Sequence, residues 1–228
     1  MFLRTAVIRI GLILGMLFIF FASIPIAFFA YTASMFSGNR RLRYQHGIQS
    51  ALKFVLPRTT VHINNYEILL NTPTPFILAA NHMNYFDWMI LYSRLKINIS
   101  VISDTFLVKF PFSILTNRAG FFAIKQKPSF SQSKAVLRII DAINNKNSVL
   151  IFTNSEMDAS KFLEDVRPGT AYLSIKTGAP VIPVHIKELN GGKSFDITFG
   201  NPILPETEDI GKTVEYAKRI GRSILSLG

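Results

Sequence analysis

The sequence contains no cysteine. That absence excludes disulfides, thiolate metal sites and a cysteine nucleophile, and it leaves the redox compartment unmarked. Acidic residues are missing from the start of the chain: the first is Glu67, whereas Arg4, Arg9, Arg40, Arg41, Arg43, Lys53 and Arg58 all precede it. Residues 10–36 carry no charge of either sign. There is no G-x-S-x-G nucleophile elbow, so a serine hydrolase of that type is not indicated. The four histidines, His46, His62, His82 and His185, are scattered, and no metal centre is expected from them. Internal repeats and low-complexity linkers are absent too.

What is present fits one α/β domain with an anchor. The chain has 228 residues, 49% of them hydrophobic, with 20 phenylalanines and a formal net charge of +11. Such a charge suits nucleic acid or an anionic membrane surface. No helix-turn-helix, zinc-finger or RNP-like pattern supports nucleic acid. The early bases instead flank the uncharged run, the arrangement expected beside anionic headgroups, where each base contributes about 1 kcal/mol. A helix over residues 10–36 would reach about 40 Å at ~1.5 Å per residue, against a hydrocarbon core of about 30 Å, so one tilted span is allowed. Pro25 also permits two short helices in a re-entrant hairpin, with both basic flanks on the cytoplasmic side. The expected organisation is a membrane anchor over residues 1–38, either transmembrane helix or helical hairpin, and an α/β domain over residues 39–228 on the cytoplasmic face.

Along that domain, residues 40–56 read as a basic helix lying along the membrane, ended by Pro57. Residues 59–70 read as two short strands around Asn64-Asn65. The apolar run "PFILAA" reads as a fully buried strand, with a helix following from Trp88. Strands are expected at 98–104, 120–126, 148–153, 180–186 and 194–203. Helices are expected at 131–145, 169–176 and 210–225, with a helix pair broken at Pro111 between the strands at 98–104 and 120–126. Gly169 and Gly178 read as helix-end glycines. Strands alternating with helices argue for a single domain with a mixed, mostly buried sheet flanked by helices.

The polar residues that end "PFILAA" carry the chemistry. Asn81 and His82 follow it, and Asp87 stands five positions after His82, just ahead of an apolar helical run. Two readings stand side by side. Asp87 can be an N-cap and His82 a polar strand end. Alternatively, a strand-to-helix turn folds the two together. On one regular helix they would lie roughly 140° apart, so only such a turn makes them face each other. A carboxylate there orients the imidazole and leaves its other nitrogen to take a proton. Strand ends in α/β sheets are also where ligands bind. His185, alternating with Val184 and Ile186 on a strand, reads as structural.

"NHMNYFD" resembles the N-H-x4-D motif of the glycerolipid acyltransferases, the family that includes 1-acylglycerol-3-phosphate acyltransferase. "GFFAIKQ" resembles the family's second block, "VLIF" leads into the position of its third, "RPGTAYLSIKTGAPVIPVHI" resembles its helix and fourth-block strand, and "FGNPI" its final strand. These blocks cover residues 76–203 in order. The resemblance implies direct acyl transfer. His82 acts as general base on an acceptor hydroxyl, Asp87 holds it, and the donor is acyl-CoA or acyl-carrier protein, with no acyl-enzyme, no metal and no other cofactor.

The chain departs from the family pattern in two places. The second block normally ends in Arg, but Gln126 stands there, between Lys125 and Lys127. The third block normally reads F-P-E-G-T-R, and here it reads "FTNSEMD". Direct register puts Asn154 at the Glu position and Met157 at the Arg position. A two-residue slip makes Glu156 the acid and leaves Ala159 at the Arg position. The resemblance implies that these positions, with Asn81, face the acceptor. Arg binds phosphate with a planar fork that Met and Gln cannot imitate. Lys125, Lys127 or Lys161 can replace it only as point charges. A larger-headgroup lysolipid acceptor is one expectation, and a catalytically weakened, lipid-binding or regulatory relative is the alternative.

Overall fold

The computed structural model describes positions 21, 25, 28 and 32 and residues 40–55, 59–82, 87–103, 113–124, 134–154, 162–205 and 210–228. The expected anchor over residues 1–38 lies almost wholly outside the described residues. Among them, no helix is long and apolar enough to cross a membrane.

The first described helix, α1 (Arg40–Val55), leads into β1 (Thr60–Asn64), α2 (Tyr66–Asn71), β2 (Ile77–Ala80), α3 (Asp87–Arg94) and β3 (Ile99–Ser103). Then come α4 (Ser113–Ala119), β4 (Phe122–Ala123), α5 (Lys134–Asn144), β5 (Ser148–Phe152), α6 (Phe162–Asp165) and α7 (Gly169–Thr177). The strands β6 (Val181–Leu189) and β7 (Ser194–Phe199) precede the last helix, α8 (Thr213–Leu225). The strands form one sheet in the order β1-β7-β6-β2-β5-β3-β4. All neighbouring strands are parallel except β6 and β7.

Burial explains the continuous apolar runs. A strand covered on both faces has no polar side to show. All four residues of β2 are fully buried. Because side chains alternate, Leu78 and Ala80 join one core layer and Ile77 and Ala79 the other. The first layer takes in residues of α1 and α3, the second residues of α5, α7 and α8. Strand β6 pairs with β2 only up to Val184, opposite Ala80, but continues to Leu189 with β7 and β1 attached. At ~3.3 Å per residue this three-stranded extension stands roughly 16 Å beyond the end of β2.

Two expectations change. Residues 66–70 are not a strand. Asn65 adopts the left-handed conformation (φ 60°, ψ 34°), which reverses the chain into α2. Tyr66 then packs edge-on against Phe199, with ring centroids 5.7 Å apart. Helix α1 is also more than a surface helix: Tyr44, Gln45, Ile48, Gln49, Ala51 and Leu52 are buried. The Gln45 amide donates to the carbonyls of Ile99 (2.9 Å) and Ala119 (2.6 Å), and its oxygen accepts from Ile99 N–H (3.3 Å). Arg41 donates to Ser100 Oγ (2.6 Å) and more weakly to Asn147 Oδ1 (3.4 Å). The opposite face of α1 exposes Arg43, His46, Ser50 and Lys53.

Two glycines of the motif-like blocks have backbone reasons. Gly178 ends α7 in the left-handed region (φ 69°), its N–H bonded to Ser174 O at 2.8 Å. Gly120, with φ +79°, leaves room for the Arg41 guanidinium, which a Cβ would strike. Replacing Gly120 with Ala therefore combines a strained backbone with a clash. We expect a loss of about 1–3 kcal/mol, read as a lower urea midpoint at unchanged slope.

Candidate active site

The site forms at the carboxyl end of β2, between the end of β5 and the continuing strand β6. Backbone pairing on both sides stops near Ala80, and side chains continue it. On the β6 side, Asn81 Nδ2 donates to Ile186 O (2.9 Å), and Ile186 N–H donates to Asn81 Oδ1 (2.7 Å). On the β5 side, Thr153 N–H and Oγ1 both donate to Ala80 O, at 2.9 and 3.2 Å. Beyond it, His82 N–H donates to Asn154 Oδ1 (2.7 Å), and Asn154 Nδ2 donates back to His82 O (2.8 Å). Asn81 and Asn154 are 3% and 4% exposed. The main chain of His82 is thus fastened, while its side chain remains 22% exposed.

Asp87 opens α3, where the helix dipole favours a carboxylate. It is fully buried. Its Oδ2 lies 3.2 Å from His82 Nδ1. The pair therefore meets, as only a turn between strand and helix allows. With Nδ1–H donating to the carboxylate, Nε2 is the nitrogen with a lone pair to accept a proton. The Phe152 ring packs against the imidazole at 4.8 Å between centroids, tilted by 41°.

Of the sequence-derived site residues, Asn81, His82, Asp87 and Asn154 come together. Lys125, Gln126, Lys127 and Glu156 lie outside the described residues, as do Met157, Ala159 and Lys161. Sequence reasoning missed Phe152 and Thr153, and it missed the main-chain bonding of Asn81 and Asn154. One signal was available: β2 and β5 are two apolar runs that each stop at polar residues, and adjacent parallel strands bring such stops together. His185 is half-buried on β6, and burial, then the charge of Lys187, lowers its imidazole pKa.

Comparison with known proteins gives a family and a fold. The family model described as Acyltransferase matches residues 60–187, more than half of the chain. No curated protein matches at a significant level. Among solved structures, the fold is similar to the crystal structure of the 1-acyl-sn-glycerophosphate (LPA) acyltransferase, PlsC, from Thermotoga maritima. The TM-score is 0.70 at 18% identity, covering 96% of this chain and 97% of that one. At that identity the likeness is one of fold, and it is the family match over β1 to β6, spanning the paired His82 and Asp87, that places the chain: it belongs to the acyltransferase family.

Proposed function

We propose that the protein is a membrane-bound O-acyltransferase of the 1-acylglycerol-3-phosphate acyltransferase type. It moves a fatty acyl group from acyl-CoA or acyl-carrier protein to the hydroxyl of a lysophospholipid. The observation that carries the reading is the 3.2 Å contact between the partly exposed His82 and the buried Asp87 at a strand end. His82 Nε2 takes the proton of the acceptor hydroxyl as its oxygen attacks the thioester carbonyl. The tetrahedral intermediate collapses, the C–S bond breaks, and the imidazolium returns the proton to the leaving thiolate. No acyl-enzyme forms. Asp87 keeps the imidazole in the productive tautomer and stabilises its cation.

Membrane attachment rests on the uncharged run of residues 10–36 with its basic flanks. A cationic cluster adds to it: burial, then the charges of Arg94 and Lys96, lower the pKa of Lys53. Three bases whose charges act on one another favour an anionic surface.

A second acceptor reading follows from Met157 or Ala159 standing where the family pattern has Arg. It assigns the protein a lysolipid without a phosphomonoester. One assay separates the readings. The purified full chain is incubated with acyl-CoA or acyl-carrier protein and a panel of lysolipids, and products are read by mass spectrometry. We expect acylated product with lysophosphatidate. Product only with larger-headgroup lysolipids would replace this acceptor with the second. No product in any combination would make the protein a non-catalytic relative.

A further inference from the structure

The third block of this chain starts "FTN", and in the direct register its amide stands where the family pattern has an acid. We infer that Asn154 is a positioning residue that sets the main chain of His82. The inference rests on the reading of His82 as general base.

The geometry demands an amide. Asn154 Oδ1 accepts from His82 N–H at 2.7 Å, and Nδ2 donates to His82 O at 2.8 Å. Turning the amide over would set NH2 against N–H and oxygen against oxygen, so the partners fix its orientation. An ionised carboxylate accepts but cannot donate, and would face the His82 carbonyl with two like-charged oxygens. A hydroxyl can donate and accept, but only from one atom on a shorter side chain, so it does not reproduce two separate bonds from two atoms.

The register shows why the hold is needed. Strand β2 pairs with β5 from Ile77 opposite Val149 to Ala80 opposite Phe152, which puts Asn154 opposite His82. Strand geometry has ended on both chains, and the ladder no longer supplies bonds there. The Asn154 side chain replaces the missing rung with two bonds to one residue. Thr153, bonded to Ala80 O through N–H and Oγ1, fixes the preceding rung. The Arg167 N–H closes on Thr153 O at 2.7 Å, tying the segment before α7 to the same point. Phe152 limits ring motion from the side. The start of the third block therefore grips the histidine through the amide of Asn154.

The test uses the full chain in detergent micelles, with the donor and acceptor pair that turns over in the panel assay. Asn154→Asp is expected to lower kcat about 10²-fold, the scale for a misplaced catalytic group, with both KM values nearly unchanged. Asn154→Ala, which adds no charge, is expected to lower kcat likewise and carries the test where the Asp variant fails to fold. In the Ala variant, hydrogen exchange of the His82 amide should accelerate while Ile77–Ala80 stay protected. Wild-type kcat in the Asp or Ala variant, or unchanged His82 exchange in the Ala variant, would overturn the inference. So would a loss carried by acceptor KM alone, which would make Asn154 a substrate ligand. Full turnover by His82→Ala would defeat the general-base reading instead, and the exchange measurement would still decide the grip.

Discussion

Replacing His82 with Ala is expected to lower kcat about 10²–10⁴-fold, the range supplied by general base catalysis. Fold and substrate binding should survive, for a structural reason. The bonds that fasten this residue run to its main-chain N–H and carbonyl, which alanine keeps. The lost side chain is partly exposed and contributes little to either core layer. The thermal unfolding midpoint should therefore move little while turnover collapses, and both KM values should stay within a few-fold. Free CoA released during transfer can be followed with a thiol reagent. The chain has no cysteine, so the protein contributes no background to that signal. Full turnover in this variant would rule out the proposed mechanism.

The second large effect is expected from Asp87→Asn. This change also separates the two readings of Asp87. Asparagine caps helices about as well as aspartate, so a residue needed only to start α3 would tolerate it. A residue needed to orient a base would not. The amide can present NH2 to Nδ1, which moves the imidazole proton to Nε2 and blocks the nitrogen that must accept. It also removes the negative charge that stabilises the imidazolium. In a serine protease the same replacement beside the catalytic histidine lowers kcat about 10⁴-fold with geometry intact. We expect a loss of about 10²–10⁴-fold here, at unchanged acceptor KM. Activity near wild type in Asp87→Asn would reduce Asp87 to a helix cap. Asp87→Ala is less informative, because it removes cap and orienter together.

The parts of the molecule legible in the sequence are those set by local pattern. The apolar run ending at Asn81 announced a buried strand, because a strand covered on both faces leaves no polar alternation. The stop at His82 and the helical run after Asp87 announced a strand end and a helix start, which bring the two side chains within 3.2 Å. Residues 66–70 misled, because "YEILL" is short enough to suit strand or helix, and the break at Asn64-Asn65 does not say which follows. In α1 the buried positions Tyr44, Ile48, Ala51 and Leu52 follow helical spacing, but the surrounding bases drew the reading to the surface. The role of Asn154 was out of reach. It depends on the pairing of β2 with β5, whose segments lie 72 residues apart at His82 and Asn154. No local pattern encodes that register.

The attachment of α1 has a consequence for orientation. Arg41 is bonded at Ser100, near the start of β3, and Ser100 is level with Val149 and Ile77 across the sheet. His82 lies five positions further along, roughly 17 Å away at ~3.3 Å per residue. The His82 edge and the amino-terminal end of α1 therefore sit at different heights on the domain. For the proposed membrane-bound enzyme, a bilayer level with the start of α1 would leave the acceptor that difference to cross before it meets the histidine.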